Sequence, residues 1–132
     1  MSSRRKTCVL LAEDDPDLRK LLIETLEKDG FKVVSAQNGK DALAEARDYR
    51  GVIDVLVTDV QMPALDGFDL QEQLRQSRPE TRLLVISGAL PPEIKGEDFP
   101  LLRKPFLPSE LCAKVRHVLT EHASPVNATS RE

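Results

Sequence analysis

The chain has 132 residues, of which 40% are hydrophobic and 31% are charged, and its formal net charge at pH 7 is −3. This size and composition predict one soluble globular domain whose core needs no disulfide or metal to support it. The acidic balance excludes a general attraction to nucleic acid, and the sequence has neither an apolar stretch of roughly 20 residues to span a membrane nor a signal peptide. We therefore expect a cytoplasmic protein with no direct nucleic-acid or membrane partner.

The hydrophobic pattern predicts a regular alternation of strands and helices. Continuous apolar runs predict strands at residues 7–12, 31–36, 52–58, 82–87 and 100–102. Asp15, Asn38 and Asp66 can each cap the helix that follows one of the first three strands. The last helix is expected to begin near Pro108.

Alternating strands and helices predict an α/β domain, because right-handed crossovers place helices on both faces of a parallel sheet. Five strands in a doubly wound, flavodoxin-like sheet predict the strand order 2-1-3-4-5. Cys8 in the first strand and Cys112 in the last helix are expected to be buried thiols rather than a disulfide or a metal pair. The expected boundaries are an N-terminal tail at residues 1–6, one domain at 7–121 and a disordered C-terminal tail at 122–132.

Polar residues with related chemistry stand where the predicted strands end. They are Glu13 and Asp14 after the first strand, Asp59 after the third, Ser87 at the end of the fourth and Lys104 after the fifth. In a doubly wound sheet, ligands bind outside the carboxyl ends of the strands, and the switch point here lies between strands one and three. Three carboxylates that converge there would raise one another's pKa without a cation, and Mg²⁺ prefers such oxygen ligands. The sequence therefore predicts a Mg²⁺ (or Mn²⁺) site that can also hold a phosphoryl group.

Each of these residues can be given a chemical role. Asp59 is the candidate nucleophile, because a carboxylate can accept a phosphoryl group as an acyl phosphate. Lys104 can hold a phosphoryl oxygen as a point charge, and the Ser87 hydroxyl can donate to another. Taken singly, each residue also has an ordinary structural explanation, such as a turn after a strand for Asp59 or a helix cap for Asp14 and Asp15. The hypothesis depends on their combination.

Four stretches of the chain together carry a family resemblance. They are VLLAEDDPDLR at 9–19, DVQMPALDGF at 59–68, VISGA at 85–89 and KPF at 104–106. With the order of strands and helices, the resemblance extends over nearly all of residues 7–121. On these residues, the sequence resembles the receiver domain of bacterial two-component response regulators.

The resemblance implies a phosphotransfer function. Asp59 would take a phosphoryl group from a phosphohistidine on a histidine kinase or a histidine phosphotransfer protein, and would then switch a surface that binds an unknown downstream protein. Lys104 would pair with Asp59 before the transfer and with the phosphoryl group after it, and Ser87 would move to contact that group. In this family the bond between Lys104 and Pro105 is commonly cis. The chain would be a signalling module that assists its own phosphorylation and dephosphorylation, not an enzyme.

The resemblance also implies a set of metal ligands. Asp14 and Asp59 would bind Mg²⁺, Glu13 would bind it directly or through water, and the main-chain carbonyl of Gln61 would complete the protein ligands. Glu13 stands where the family usually has aspartate. Its side chain is one methylene longer, so its reach toward a metal differs from that of the usual residue.

Two further features depart from the family. Leu101 occupies the position three residues before Lys104, where the family usually has Tyr or Phe, so an aromatic ring cannot carry a signal there. Phe99 lies two residues earlier and is not assigned that role. The span from Ser87 to Lys104 is short and rich in proline, so we predict that helix four of the family is a single turn or missing. Such a segment disrupts the family's usual dimer surface and resembles receivers attached to hybrid sensor kinases.

Three functions are weighed on this basis. The first is a phosphoaccepting receiver, free-standing or part of a larger phosphorelay protein, and the absence of a helix-turn-helix argues against a transcription factor. The second is a receiver-like scaffold that binds partners without being phosphorylated. The third is a Mg²⁺-dependent phosphohydrolase, but one widespread family of that kind needs a second aspartate where this chain has Gln61. The intact set of Asp14, Asp59, Ser87 and Lys104 favours the first.

Overall fold

The computed structural model describes residues 5–62, 65–90 and 99–121, which form five strands and four helices. In chain order these elements are β1 (Cys8–Ala12), α1 (Pro16–Lys28), β2 (Lys32–Ala36), α2 (Gly39–Asp48), β3 (Val55–Asp59), α3 (Gly67–Ser77), β4 (Arg82–Ser87), β5 (Leu101–Arg103) and α4 (Pro108–Glu121). The predicted alternation of strands and helices is confirmed over these residues.

The five strands form one parallel sheet in the order β2-β1-β3-β4-β5, which confirms the predicted doubly wound topology. The register aligns the carboxyl ends of the central strands: Ala12 pairs with both Ala36 and Thr58, and Asp59 pairs with Ile86. The residues that follow β1 and β3 therefore leave the sheet side by side.

The predicted helix caps are confirmed. The Asp15 side chain accepts hydrogen bonds from the main-chain nitrogens of Asp17 and Leu18, and Pro16 occupies the first helical position. Asn38 and Asp66 cap α2 and α3 by accepting from the nitrogen three residues later. The helices α1 and α2 each begin within four residues of the end of the preceding strand, whereas α3 begins after the longer loop that follows Asp59.

The third strand begins at Val55, three residues later than predicted. The reason is the polar residue before it. The Asp54 side chain turns to accept a hydrogen bond from the main-chain nitrogen of Cys8 at 2.8 Å, and Val52 is 41% exposed, outside the sheet. An apolar run alone could not reveal this bend.

The core lies on both faces of the sheet. Alternate strand residues face opposite sides, as they do in any pleated strand. One cluster packs strand residues against α1 and α4 and includes Val9, Leu11, Val57, Leu26 and Val115. The other packs against α2 and α3 and includes Leu10, Leu56, Ala42, Leu70 and Leu74. Burying both faces leaves the carboxyl edge of the sheet as the place where polar side chains collect.

Both cysteines are free and buried, as predicted. Arg5, which falls in the predicted N-terminal tail, makes a bidentate ion pair with Asp54, with 2.8 Å between the atoms of each nitrogen–oxygen pair.

None of the helices in the described residues is long and apolar enough to cross a lipid bilayer. The predictions of a shortened or missing helix four and of a disordered tail fall on residues 91–98 and 122–132, which lie outside the described residues.

Candidate functional site

Three carboxylates meet at the carboxyl edge of the sheet. Glu13 and Asp14 follow β1, Asp59 ends β3, and one carboxylate oxygen from each lies within 4.8 Å of the other two. Their exposures differ: Glu13 is 1% exposed, Asp59 is half-buried and Asp14 is exposed to solvent. The parallel pairing of β1 and β3 is what places these residues together, because it aligns Ala12 with Thr58.

Each polar group of Glu13 makes a hydrogen bond. Its main-chain nitrogen donates to the Ala36 oxygen at 3.1 Å, and its main-chain oxygen accepts from Nη1 of Arg19 at 2.8 Å. Its carboxylate accepts from the Asp15 nitrogen at 3.1 Å and from Nζ of Lys104 at 3.4 Å. Burial nevertheless raises the pKa of the Glu13 carboxyl, although these hydrogen bonds oppose the shift.

Lys104 supplies the positive charge of the site. Its ammonium lies 2.8 Å from Oδ2 of Asp59 and 3.4 Å from Oε1 of Glu13. The main chain positions it, because the Lys104 nitrogen donates to the Ser87 oxygen at 2.9 Å and so continues the pairing of β4 with β5. Burial alone would lower the pKa of Lys104, but the hydrogen bond to Asp59 and the charge of Glu13 outweigh it and raise that pKa. The bond to Pro105 is cis, as the resemblance implied.

Asp59 is anchored on both of its carboxylate oxygens. Oδ2 contacts Lys104, and Oδ1 accepts from the main-chain nitrogen of Gln61 at 3.2 Å, which forms a tight turn after the strand. The same loop ends at Gly67, whose nitrogen donates to the Val60 oxygen at 2.9 Å. Any side chain at this glycine would collide with the main-chain oxygen of Asp59. Gly67, where this loop ends, therefore packs directly against Asp59.

Ser87 lies at the end of β4, between the strands that carry Asp59 and Lys104, and is 2% exposed. Its hydroxyl donates to the Ala89 oxygen at 2.9 Å and accepts from the Ala89 nitrogen at 3.2 Å. Within the described residues, this hydroxyl has no hydrogen bond to either of the two charged neighbours.

The donor set fits a hard divalent cation. Three carboxylates cluster here, the Lys104 ammonium contacts two of them, and oxygen ligands of this kind suit Mg²⁺ or Mn²⁺ rather than softer metals. The Asp14 carboxylate makes no hydrogen bond or ion pair with any residue that the structure describes, so its oxygens face solvent and are available as ligands. Gln61 is exposed beside Asp59.

Two contacts at the site were not predicted from the sequence. Arg19 follows Glu13 by six residues, and the helix that begins at Pro16 turns it back toward the strand end, where it binds the Glu13 oxygen. Phe99 packs edge-on against Phe68 at the start of α3, with 4.9 Å between ring centroids. The position of Arg19, four residues after the cap Asp15, could have predicted that its side chain lies near the end of β1. Nothing in the sequence predicts that the two aromatic rings pack together.

Comparisons with known proteins agree with this geometry. The family model described as "Response regulator receiver domain" matches residues 9–116. The chain is 33% identical to the response regulator receiver protein CpdR of Brucella abortus, covering 84% of this chain and 95% of that protein. It is also 33% identical to part of the sensor kinase CckA of the same organism, covering 84% of this chain but only 12% of the kinase.

Structural similarity extends over the same part of the chain. The structure of the chemotaxis protein CheY4 of Vibrio cholerae superposes with a TM-score of 0.79 and 31% sequence identity, covering 87% of this chain and all of that one. The chain spans 48% and 25% of the length of two further relatives, both transcriptional regulatory proteins. By the family match, the shared sheet order and the carboxylates beside Lys104, the chain belongs to the response regulator receiver domains of two-component signalling.

Proposed function

We propose that this receiver accepts a phosphoryl group on Asp59 from a phosphohistidine of a histidine kinase or a histidine phosphotransfer protein. The observation that carries the proposal is the 2.8 Å contact between Lys104 and an Asp59 carboxylate that lies in a cluster of three. A carboxylate at this place has a cation beside it to stabilise the transferred group. Receiver domains are signalling modules and not enzymes in the ordinary sense, and the transfer switches such a module.

The chemistry requires one bond to form as another breaks. An oxygen of the Asp59 carboxylate attacks phosphorus, and an oxygen–phosphorus bond forms. The phosphorus–nitrogen bond to the donor imidazole breaks, its electron pair returns to the ring nitrogen, and that nitrogen takes up a proton. Because the transition state has little covalent chemistry for a protein to assist, catalysis comes from positioning and from neutralising the phosphoryl oxygens.

The residues around Asp59 suit that task. The Lys104 ammonium can follow the phosphoryl group, since it already contacts the carboxylate that receives it. The Ser87 hydroxyl can rotate out of its turn with Ala89 to donate to a second oxygen. Asp14, Asp59, Glu13 and the Gln61 carbonyl would hold Mg²⁺ or Mn²⁺, and the bound cation would neutralise a further share of the phosphoryl charge.

Phosphorylation of Asp59 changes the local charge, and that change is the signal. The group adds roughly one negative charge or more with several strong acceptor oxygens. Lys104 and Ser87 are the donors placed to respond, and both lie at ends of β4 and β5. Their rearrangement would bias the adjoining surface toward a downstream protein.

Intact mass spectrometry tests the proposal directly. The full chain is incubated with Mg²⁺ and a small acyl phosphate, and we expect the mass of one phosphoryl group to appear on the wild type. Asp59→Asn should remain unlabelled, and excess chelator should prevent labelling of the wild type. The matched control is Asp48→Asn, because Asp48 is exposed at the C-terminal end of α2 and is not one of the three clustered carboxylates.

The opposite results have clear meanings. A wild type that gains no mass would favour the scaffold that binds partners without phosphorylation. Labelling of Asp59→Asn to the wild-type extent would show that another residue accepts the group. Steady turnover of a small phosphomonoester would favour a phosphohydrolase instead.

A further inference from the structure

Arg19, on the first turn of α1, binds back to the end of β1. It is partly buried, and its Nη1 donates at 2.8 Å to the main-chain oxygen of Glu13, the residue that follows β1. Its own main-chain nitrogen donates to the Asp15 oxygen at 2.8 Å, the first hydrogen bond of α1. Helical side chains lean toward the N-terminus of their helix, which brings the guanidinium back over the junction of β1 and α1.

The oxygen that Arg19 binds belongs to the peptide group that joins Glu13 to Asp14. That group is planar and rigid, so a bond to its oxygen fixes its orientation. The preceding peptide group is fixed as well, because the Glu13 nitrogen donates to Ala36 at 3.1 Å. Two hydrogen bonds to other elements, one from Arg19 and one to Ala36, therefore fix the main chain immediately before Asp14.

Asp14 depends on this support more than its neighbours do. The carboxylates of Glu13 and Asp59 are each held by Lys104 and by a main-chain nitrogen. The Asp14 carboxylate has no such bond to any described residue, so the position of its backbone is what keeps it within reach of the cluster. Its oxygen still lies within 4.8 Å of the other two carboxylates.

We propose that Arg19 is a positioning residue for the divalent cation site, which it orients through the Glu13–Asp14 peptide group. This role rests on the proposed function, since it presumes that the three carboxylates bind a cation. Arg19 touches neither the cation nor the phosphoryl group. Groups that orient metal ligands in this way typically change metal affinity by about 10- to 100-fold when they are removed.

The sign of the effect separates positioning from simple electrostatics. Arg19 carries a positive charge close to the acidic cluster, so a purely electrostatic role predicts that its removal strengthens the binding of Mg²⁺. A positioning role predicts the reverse, because the Glu13–Asp14 peptide group loses its fixed orientation and Asp14 is no longer held beside the other two carboxylates. A role in stability alone would lower the melting temperature in chelator and leave the affinity unchanged.

Isothermal titration calorimetry of the unphosphorylated full chain with MgCl₂ measures the affinity without any phosphotransfer. We expect Arg19→Met to bind Mg²⁺ about tenfold more weakly than the wild type. The matched control is Lys20→Met, which removes the same charge from the next, exposed position of α1 and should stay within about twofold of the wild type. Thermal unfolding in chelator is recorded for each variant.

Affinity of Arg19→Met equal to or tighter than that of the wild type would overturn the proposal. If Arg19→Met does not unfold cooperatively in chelator, Arg19→Gln replaces it, since glutamine keeps a polar head group and is too short to reach the Glu13 oxygen; the same outcomes then apply. Asp14→Ala tests the metal site itself. If that variant binds as tightly as the wild type, or if the wild type does not bind Mg²⁺, the metal site fails and the role of Arg19 fails with it.

Discussion

Nζ of Lys104 lies 2.8 Å from Oδ2 of Asp59, although β3, which ends at Asp59, and β5, which Lys104 directly follows, are not neighbours in the sheet. β4 lies between β3 and β5, so the two backbones are separated by about 10 Å, twice the spacing of adjacent strands. Only a long, extended side chain spans that distance. The contact therefore depends on the sheet order and on the length of lysine together.

Replacing Lys104 by methionine should remove the charge and keep most of the side-chain length. Without the ammonium, no described cation contacts the Asp59 carboxylate, and the phosphoryl oxygens lose a donor that is already in place. Loss of one such donor costs about 10²-fold in rate. The measurement is the initial rate of labelling by a small acyl phosphate. Lys40→Met, at an exposed position of α2, is the control. An equal rate for the two variants would contradict the role of Lys104.

Gly67→Ala should destabilise the fold. The new methyl group would meet the main-chain oxygen of Asp59 and the Thr58 side chain, so the loop after β3 would have to shift. Overpacking of this kind costs about 1–3 kcal/mol. Urea unfolding measures the change. Gly88→Ala is the control, since its methyl group would meet no atom of the described residues within 4 Å, and its free energy of unfolding should stay within about 0.5 kcal/mol of the wild type.

Arg78→Met should also lower stability. The Arg78 guanidinium donates to the main-chain oxygens of Ala46, Tyr49 and Gly51 at 2.6–2.9 Å, and so closes the C-terminal end of α2 and the loop after it. Losing these bonds should cost about 2–3 kcal/mol in the free energy of unfolding. Arg75→Met is the comparison, because among the described residues Arg75 contacts only Glu72, in an exposed ion pair on its own helix. Equal losses for both variants would refute this assignment.

Asp54→Asn should make stability less dependent on pH. The Arg5 guanidinium holds the pKa of the Asp54 carboxyl below its usual value, so the pair stabilises the fold at pH values above that usual pKa. This stabilisation is lost as the pH falls through the lowered pKa. We expect Asp54→Asn to be less stable than the wild type by about 1–2 kcal/mol near neutral pH. The difference should shrink as urea unfolding is repeated toward pH 3 and below. A difference that stays constant would mean that the charge of Asp54 does not contribute.

The fold was predictable because its determinants are local or periodic. Apolar runs mark the buried strands, and Asp15, Asn38 and Asp66 mark the helix starts, so element order and sheet topology follow from general rules. The strand ends also indicated which carboxylates would converge, because parallel strands share one carboxyl edge. That reasoning needs no knowledge of side-chain conformation.

The contacts that were missed depend on side chains that reach between distant segments. Arg5 binds Asp54 across the amino end of the sheet, and Arg78 binds carbonyls 27 to 32 residues earlier in the chain. A long arginine can reach many atoms, and sequence alone does not say which. The turn between Ser87 and Ala89 matches the ordinary structural explanation of that serine, and the sequence could not decide between it and a ligand contact, since a serine hydroxyl can bond to its own backbone as readily as to a ligand.

The two buried cysteines simplify future spectroscopy. Burial raises the pKa of both Cys8 and Cys112, so under native conditions neither thiol is readily converted to the thiolate that alkylating dyes require. A third cysteine placed at an exposed position could therefore carry a fluorophore while the native pair stays unlabelled. Because the chain has no tryptophan, such a dye would provide an optical reporter of ligand-induced change without competing emission from that residue.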